Sequence, residues 1–286
     1  MQTRNDHADQ SDWWYRQVLL MVILATLLLM IFEQTSLDLR LERLFYDPST
    51  GDFPLRHHWF IEVVMHHGLK QISYALLFPA AVVCLLALRG KLAWLPPRNA
   101  LLALTGMLLI PLTTALLKQI TNRHCPWDIV DFGGYAPYLG LFATAPQDIA
   151  RGMCFPAGHA SGGFAWIVWA LALAHSLKTY ARAFLGFSLA FGMAMGLARM
   201  TQGAHFLSHT LWSAWWAWAL SLLLARLFRA EVFAAEPADQ ETRRAAPSVS
   251  WPPGGGTEHS EVFGGGSNNA RTEQAAPDGQ CVRQSQ

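Results

Sequence analysis

Charged side chains are scarce in this sequence. Asp, Glu, Lys and Arg make up 14% of its 286 residues, whereas soluble domains contain about a quarter. A formal net charge of +1 creates no overall field for nucleic acid, so no such partner is expected. No repeat of fixed period is visible either. Because the missing charge leaves long apolar runs, the composition excludes an ordinary soluble domain and indicates several passages through a membrane.

Six apolar runs approach the length needed to cross a bilayer, which takes about 20 mostly apolar residues. They cover residues 18–32, 72–88, 100–117, 162–177, 183–198 and 210–228. The sequence therefore predicts an all-α fold, a bundle of six transmembrane helices over residues 18–230. An N-terminal cytoplasmic segment, residues 1–17, precedes it. Residues 231–286 are rich in Pro, Gly and Ser, which predicts a disordered cytoplasmic tail.

Basic residues near the ends of these runs predict the orientation of the bundle. In a six-span topology, one side of the membrane receives Arg89, Lys91, Arg98, Lys178, Arg182, Arg226 and Arg229. That side is expected to be cytoplasmic, because short cytoplasmic connections carry an excess of Lys and Arg. The two long connections, residues 36–71 and 118–161, are interpreted as loops, and both then lie on the opposite side.

Three polar stretches fall on that opposite side, although they are far apart in sequence. They are LKQITNRHCPWD (117–128), FPAGHASGGFA (155–165) and ARMTQGAHFLSH (198–209). Together they contribute Lys118, Arg123, His159, Arg199, His205 and His209. Cations of this kind neutralise phosphate oxygens, while one imidazole can attack phosphorus and another can protonate the leaving group. Glycines beside His159 allow backbone N–H groups to approach an anion. The pattern predicts a phosphate site at the membrane surface.

The three stretches resemble the motifs of the type 2 phosphatidic acid phosphatase superfamily, whose site is shared with vanadium haloperoxidases. The family motifs are K-x6-R-P, P-S-G-H and S-R-x5-H-x3-D. Here they read K-x6-C-P at 118–126, P-A-G-H at 156–159 and A-R-x5-H-x3-H at 198–209. The resemblance implies a membrane phosphatase that acts on a lipid phosphate in the bilayer and needs no metal or other cofactor.

The resemblance also implies roles for individual residues. His205 matches the nucleophile that becomes phosphohistidine, and His159 matches the general acid. Lys118 and Arg199 match phosphate-binding cations, and Gly158 matches a backbone donor. A bacterial inner membrane location, with the site facing the periplasm, is expected. The lipid could be undecaprenyl diphosphate, phosphatidic acid, phosphatidylglycerol phosphate or a lipid A phosphate. That choice and the oligomeric state stay open.

Several positions depart from the family motifs. Cys125 stands where the first motif has its arginine, and Arg123 is the expected substitute. His209 stands where the third motif has an aspartate that orients the nucleophilic histidine. A neutral histidine does this poorly. Asp128 or Asp131 could supply the missing charge. The second and third motifs also carry Ala157 and Ala198 in place of serines.

Cys125 and Cys154 both lie in the long connection that faces the oxidising compartment, which permits a disulfide between them. Such a bridge would contribute about 3 kcal/mol in the chain-entropy model. It would hold the first motif beside the second. The alternative is two unrelated thiols.

Other functions remain open on the same residues. The i, i+4 spacing of His205 and His209, with His159, allows a zinc site, but no HExxH-type glutamate accompanies it, so no metal is expected. The same pocket could transfer phosphate from one lipid to another, such as lipid A. The departures at positions 125 and 209 also permit a degenerate, lipid-binding member without catalysis.

Overall fold

A computed structural model describes residues 2–232 of the chain. Their α-helices are α1 (Gln2–Gln34), α2 (Leu37–Glu42), α3 (Leu69–Leu88), α4 (Pro97–Thr121), α5 (Gly158–Phe164), α6 (Val168–Ala172), α7 (Lys178–Met200) and α8 (Leu207–Leu227). Shorter helical turns cover Phe60–Gly68, Pro126–Asp128, Val130–Phe132 and Ala165–Ile167. Within these described residues there is no β-strand, and the predicted all-α fold is confirmed. The predicted tail lies outside them from residue 233 onward.

Four helical stretches of the described chain are long and apolar enough to cross a membrane. They are Ser11–Gln34, Phe60–Leu88, Pro97–Asp128 and Lys178–Met200. These stretches contain four of the six predicted spans, and they support a protein that passes through the membrane several times. The predicted spans at 162–177 and 210–228 do not meet the same criteria of length and apolarity. The six-span topology therefore stays a prediction.

The predicted span at 162–177 is not one helix, which corrects the sequence interpretation. It is divided into α5, the turn Ala165–Ile167 and α6, which ends at Ala172. At 1.5 Å per residue such a segment is about 22 Å long, shorter than the roughly 30 Å hydrocarbon core of a bilayer. Most side chains between residues 160 and 173 are buried. The segment is apolar because it packs inside the bundle.

The close packing of α5 against α7 depends on Gly163, a glycine in the second motif stretch. A Cβ atom added at Gly163 would lie 2.7 Å from the backbone of Gly192 in α7. Real Cβ contacts do not approach so closely, so the two helices meet here backbone to backbone. A Cβ added at Gly158, in contrast, would lie 3.7 Å from the Lys118 side chain, an ordinary contact. Gly163 therefore serves helix packing, and Gly158 faces the polar end of the bundle.

The first long connection, interpreted from sequence as a loop, contains ordered helices. It holds α2 and the helical turn Phe60–Gly68, which runs directly into α3. The sequence of α2, LDLRLE, is short and alternates apolar with charged residues, so it gives no clear helical pattern. Two of its charged residues, Asp38 and Glu42, are buried. Aromatic and aliphatic side chains from three connections then form a second, smaller core: Phe53, Ile129, Phe132 and Phe206. This core holds the polar connections together at the start of α8.

Candidate active site

The first and second motif stretches are joined by covalent and hydrogen bonds. Cys125 and Cys154 form a disulfide with their Cα atoms 5.2 Å apart. The backbone N–H of Cys154 donates to the carbonyl of Arg123 at 2.9 Å, and the N–H of Gly152 donates to the side chain of Asn122 at 2.8 Å. The chain leaving α4 is therefore fixed to the chain that enters α5.

The third motif stretch is bonded to both of the others. The backbone N–H of Ala157 donates to the carbonyl of His209 at 3.1 Å, and the N–H of Trp127 donates to the carbonyl of Gly203 at 2.9 Å. The hydroxyl of Ser213, one turn further along α8, also donates to the carbonyl of Ala157 at 3.1 Å. Three stretches that are distant in sequence thus converge on one end of the bundle.

His205 lies in the turn between α7 and α8, at the centre of this convergence. It is 3% exposed, and its ring centroid is 5.8 Å from that of His209. Burial, followed by His209 and the charges of Lys118, Arg199 and His159, lowers the pKa of His205 well below its usual value. A lowered pKa keeps the imidazole neutral at pH 7, so a nitrogen lone pair is available to attack an electrophile.

A cavity of about 320 Å³ opens beside three of the predicted residues. Its polar wall includes Lys118, Gly158 and His159, and Lys70 from α3 faces the same space. The remainder of the wall is largely apolar and includes Leu77, Met107, Pro111, Ala115, Ala165 and Trp166. Sequence reasoning missed Lys70, because it stands at the end of a long connection of mixed charge. A cavity lined by both cations and apolar side chains suits an amphipathic phosphate.

Arg199 is held in place by side chains that the motif comparison did not identify. Its guanidinium donates to the side-chain oxygen of Gln202 at 2.7 Å and lies 4.0 Å from the carboxylate of Glu62. Gln202 in turn donates to Glu62 at 2.8 Å. The Cζ atom of Arg199 also lies 5.6 Å from the ring centroid of Trp127. The helical turn Phe60–Gly68 therefore contributes to positioning this cation.

Arg123 does not join the other cations, contrary to expectation. It is buried, and its guanidinium donates to the carbonyls of Leu141 at 2.7 Å and Ala143 at 2.6 Å. It lines a separate, narrower cavity of about 30 Å³ together with His209. The reason is local, because Asn122 ends α4 in the left-handed conformation, with φ of 48°, and the chain turns away before Arg123.

The carboxylate expected beside His205 is not found among the described residues. The Nδ1 atom of His205 is buried and has no hydrogen-bond partner there. Asp128 accepts from the backbone N–H of Cys125 at 3.3 Å, and Asp131 pairs with Arg43 at 3.7 Å. Both acids therefore stabilise the connection. In the same part of the chain, no group of three His, Cys, Asp or Glu residues is arranged to hold a metal ion.

Asp38 of α2 supports the third motif stretch from the first connection. It is 2% exposed, accepts from the backbone N–H of Ser208 at 3.0 Å and shares a second, short hydrogen bond with the Ser208 hydroxyl. Ser208 is next to His209, so Asp38 fixes the start of α8. No motif in LDLRLE indicates this role.

Comparison with known proteins agrees with the motif assignment. The family model of the PAP2 superfamily matches residues 99–233. No curated protein matches the chain. One solved structure, of the first transmembrane PAP2-type phosphatidylglycerolphosphate phosphatase from Bacillus subtilis, is 16% identical, covers 82% of this chain and 98% of that chain, and has a TM-score of 0.43. The matched residues 99–233 carry all three motifs.

Proposed function

We propose that this chain is an integral membrane phosphatase that hydrolyses a phosphomonoester or diphosphate of a lipid through a phosphohistidine at His205. The superfamily match supports phosphatase activity in general. The observation that carries the specific proposal is the buried imidazole of His205, whose pKa is lowered by burial and by nearby cationic side chains. Such a group is an uncharged nucleophile where a phosphate would be held.

The first chemical step forms a bond between a ring nitrogen of His205 and phosphorus, and it breaks the bond from phosphorus to the leaving oxygen. His159 lines the cavity and donates its proton to that oxygen, so the lipid leaves as an alcohol or a phosphate. Lys118 and Arg199 neutralise charge on the remaining phosphoryl oxygens. The backbone N–H of Gly158 adds a further donor.

The second step returns the enzyme to its starting state. A water molecule attacks phosphorus, and His159, now neutral, accepts the proton that the water loses. The bond between phosphorus and the His205 nitrogen breaks, and inorganic phosphate leaves. Because the Nδ1 atom of His205 has no carboxylate partner in the described chain, the imidazole gains no added basicity from a neighbour. A lowered pKa also makes it a better leaving group in this step.

The cavity supports a lipid as the substrate. Its cationic wall would hold the phosphate, and its apolar wall, which includes Leu77 and Trp166, would contact hydrocarbon. In a bacterial inner membrane, we place this end of the bundle at the periplasmic surface. Undecaprenyl diphosphate, phosphatidic acid, phosphatidylglycerol phosphate and lipid A phosphates are the substrates to compare.

The test is phosphate release from each of these four lipid phosphates by the purified protein in detergent. His205→Ala is expected to reduce release at least about a thousandfold, as loss of a nucleophile does. His159→Ala is expected to reduce it by about a hundredfold or more, as loss of a general acid does. His175→Ala is the matched control, because His175 lies beyond α6 and is 3.4 Å from Glu231, and it should retain the wild-type rate.

The alternatives give different results in the same assay. Release by His205→Ala at the wild-type rate would overturn the mechanism. A phosphotransferase would be indicated if the donor lipid loses phosphate only when a second lipid is present and no free phosphate is released. If the wild-type protein changes none of the lipids and His205→Ala leaves the cellular phenotype intact, the chain is a lipid-binding member without catalysis.

A further inference from the structure

The first motif stretch has a cysteine where the family motif has its arginine. Position 125 is occupied by a cysteine that is bonded to Cys154. The guanidinium of Arg123 is turned toward backbone carbonyls at residues 141 and 143. Arginine binds phosphate through two parallel hydrogen bonds that a lysine cannot reproduce. A second guanidinium near Arg199 would therefore have to come from another part of the fold.

Arg56, in the first long connection, shares an aromatic neighbour with Arg199. The Cζ atom of Arg56 lies 4.6 Å from the ring centroid of Trp127, the same ring that Arg199 approaches at 5.6 Å. Trp127 is two residues after Cys125, in the first motif stretch. The indole therefore brings a guanidinium from the first connection to the place where the first motif meets the third.

Gln202 couples the backbone of Arg56 to Arg199. Its side-chain nitrogen donates to the carbonyl of Arg56 at 3.1 Å, and its side-chain oxygen accepts from Arg199 at 2.7 Å. Gln202 is almost completely buried, so this bridge is rigid. The main chain at residue 56 is thus fixed by the same side chain that orients the phosphate-binding Arg199.

The side chain of Arg56 remains accessible to a ligand. It is 37% exposed, and its ion pair with Asp52, at 3.4 Å, is with a carboxylate that is itself 46% exposed. An ion pair between exposed groups is weak, so a phosphate can compete for the guanidinium. Stacking on Trp127 leaves the N–H groups at the guanidinium edge available for hydrogen bonds.

We propose that Arg56 is a phosphate-binding residue of this site, and that its guanidinium provides beside Arg199 the contact that position 125 does not provide. The inference rests on the proposed function for the identity of the substrate, but the binding of phosphate itself can be measured without turnover. Arg56 and Arg199 would each donate to nonbridging oxygens, while Lys118 approaches from the cavity.

The experiment is calorimetric titration of inorganic phosphate into the full-length protein in detergent. Arg56→Gln is expected to raise the dissociation constant at least about tenfold, which corresponds to about 1.4 kcal/mol, since it removes a charged hydrogen-bond donor to the phosphate. Arg56→Lys should restore part of the affinity, and Arg199→Gln should lose at least as much as Arg56→Gln. Arg43→Gln is the neutral control, because Arg43 pairs with Asp131 at the surface.

Asp52→Asn separates a binding role from a structural one. It removes the ion pair of Arg56 but keeps the guanidinium, so phosphate affinity should be unchanged or higher. If Asp52→Asn and Arg56→Gln lower the affinity for phosphate equally, the inference is overturned. It is also overturned if Arg56→Gln keeps the wild-type affinity for phosphate while Arg199→Gln loses affinity. If the wild-type protein binds phosphate through Arg56 but hydrolyses no lipid, the inference holds and the proposed function fails.

Discussion

Two clusters of opposite charge lie beside the segment 205–209. The cationic cluster is half-buried and the acidic cluster is buried. The cations Lys118 and Arg199 act on His205, and Lys118 faces a cavity. Asp38 and Glu42 are enclosed by the fold, at 2% and 0% exposed. Burial raises the pKa of Asp38 to about 6 and that of Glu42 to about 10.

The comparison shows how a fold of this kind handles buried charge. A charge that is removed from water is costly unless it is paired or neutralised. The acidic cluster can be neutralised without a partner, because a carboxylate can take up a proton. An arginine cannot lose its proton, so the cations are neutralised by anions, of which the carboxylate of Glu62, 4.0 Å from Arg199, is one. Enclosure therefore indicates a structural role for the acids, and access indicates a ligand for the cations.

The largest expected effect comes from the covalent link on the cationic side. Replacing Cys125 and Cys154 together by Ser should lower the free energy of unfolding by about 3 kcal/mol in the chain-entropy model. Phosphate release should fall as well, because the first and second motif stretches are no longer fixed together. Thermal unfolding with and without reductant measures this effect. The double variant should be insensitive to reductant, and an identical melting temperature of the wild type in both conditions would contradict the prediction.

A smaller effect is expected from the acid that fixes α8. Phe206 is the N-cap residue of α8, and its side chain makes no capping hydrogen bond. Asp38 instead accepts a hydrogen bond from the backbone N–H of Ser208 in the first turn. Asp38→Ala should cost about 1–2 kcal/mol, in the range of a lost helix cap, and should lower kcat because residues 205–209 are released. Asp38→Asn is the matched variant, since its amide oxygen can accept from the N–H of Ser208 and its amide nitrogen can donate to the Ser208 hydroxyl. Equal losses in the two variants would show that charge, and not hydrogen bonding, is what matters.

The parts of this molecule that could be predicted from the sequence are those that resemble the family motifs in order and spacing. The three motif stretches converge as expected, because their place between helices brings them to one end of the bundle. The structure joins Cys125 to Cys154, two cysteines that the sequence places in the same long connection. Arg123 follows the left-handed turn at Asn122, and its guanidinium donates to the carbonyls of Leu141 and Ala143. A single backbone angle of this kind is not visible in a motif.

The first long connection shows why other residues were missed. Its charges are mixed and its helices are short, so the sequence pattern is that of a solvated loop. Arg56, Glu62 and Asp38 acquire their roles only through contacts with residues more than a hundred positions away, such as Gln202 and Ser208. Local periodicity carries no information about such contacts.

The smallest expected effect tests whether the acidic cluster is neutral. Neither carboxyl oxygen of Glu42 has a hydrogen-bond partner within the described residues, and burial, with the neighbouring Asp38, raises the pKa of Glu42 to about 10. Stability contributed by a group with a raised pKa is complete below its unfolded pKa and is lost as the pH rises toward the folded value. Glu42→Gln cannot ionise in either state, so it should become more stable relative to the wild type as the pH increases.

Between pH 7 and pH 8 the expected gain of Glu42→Gln over the wild type is about 1 kcal/mol, close to the limit for one proton and one pH unit. Melting temperatures of both proteins at pH 6, 7, 8 and 9 measure it. Asp148→Asn, at an exposed position, is the matched control for removing one carboxylate. A constant difference for Glu42→Gln would mean that Glu42 is already ionised in the folded protein. The enclosed acids and the accessible cations would then carry buried charge in the same way.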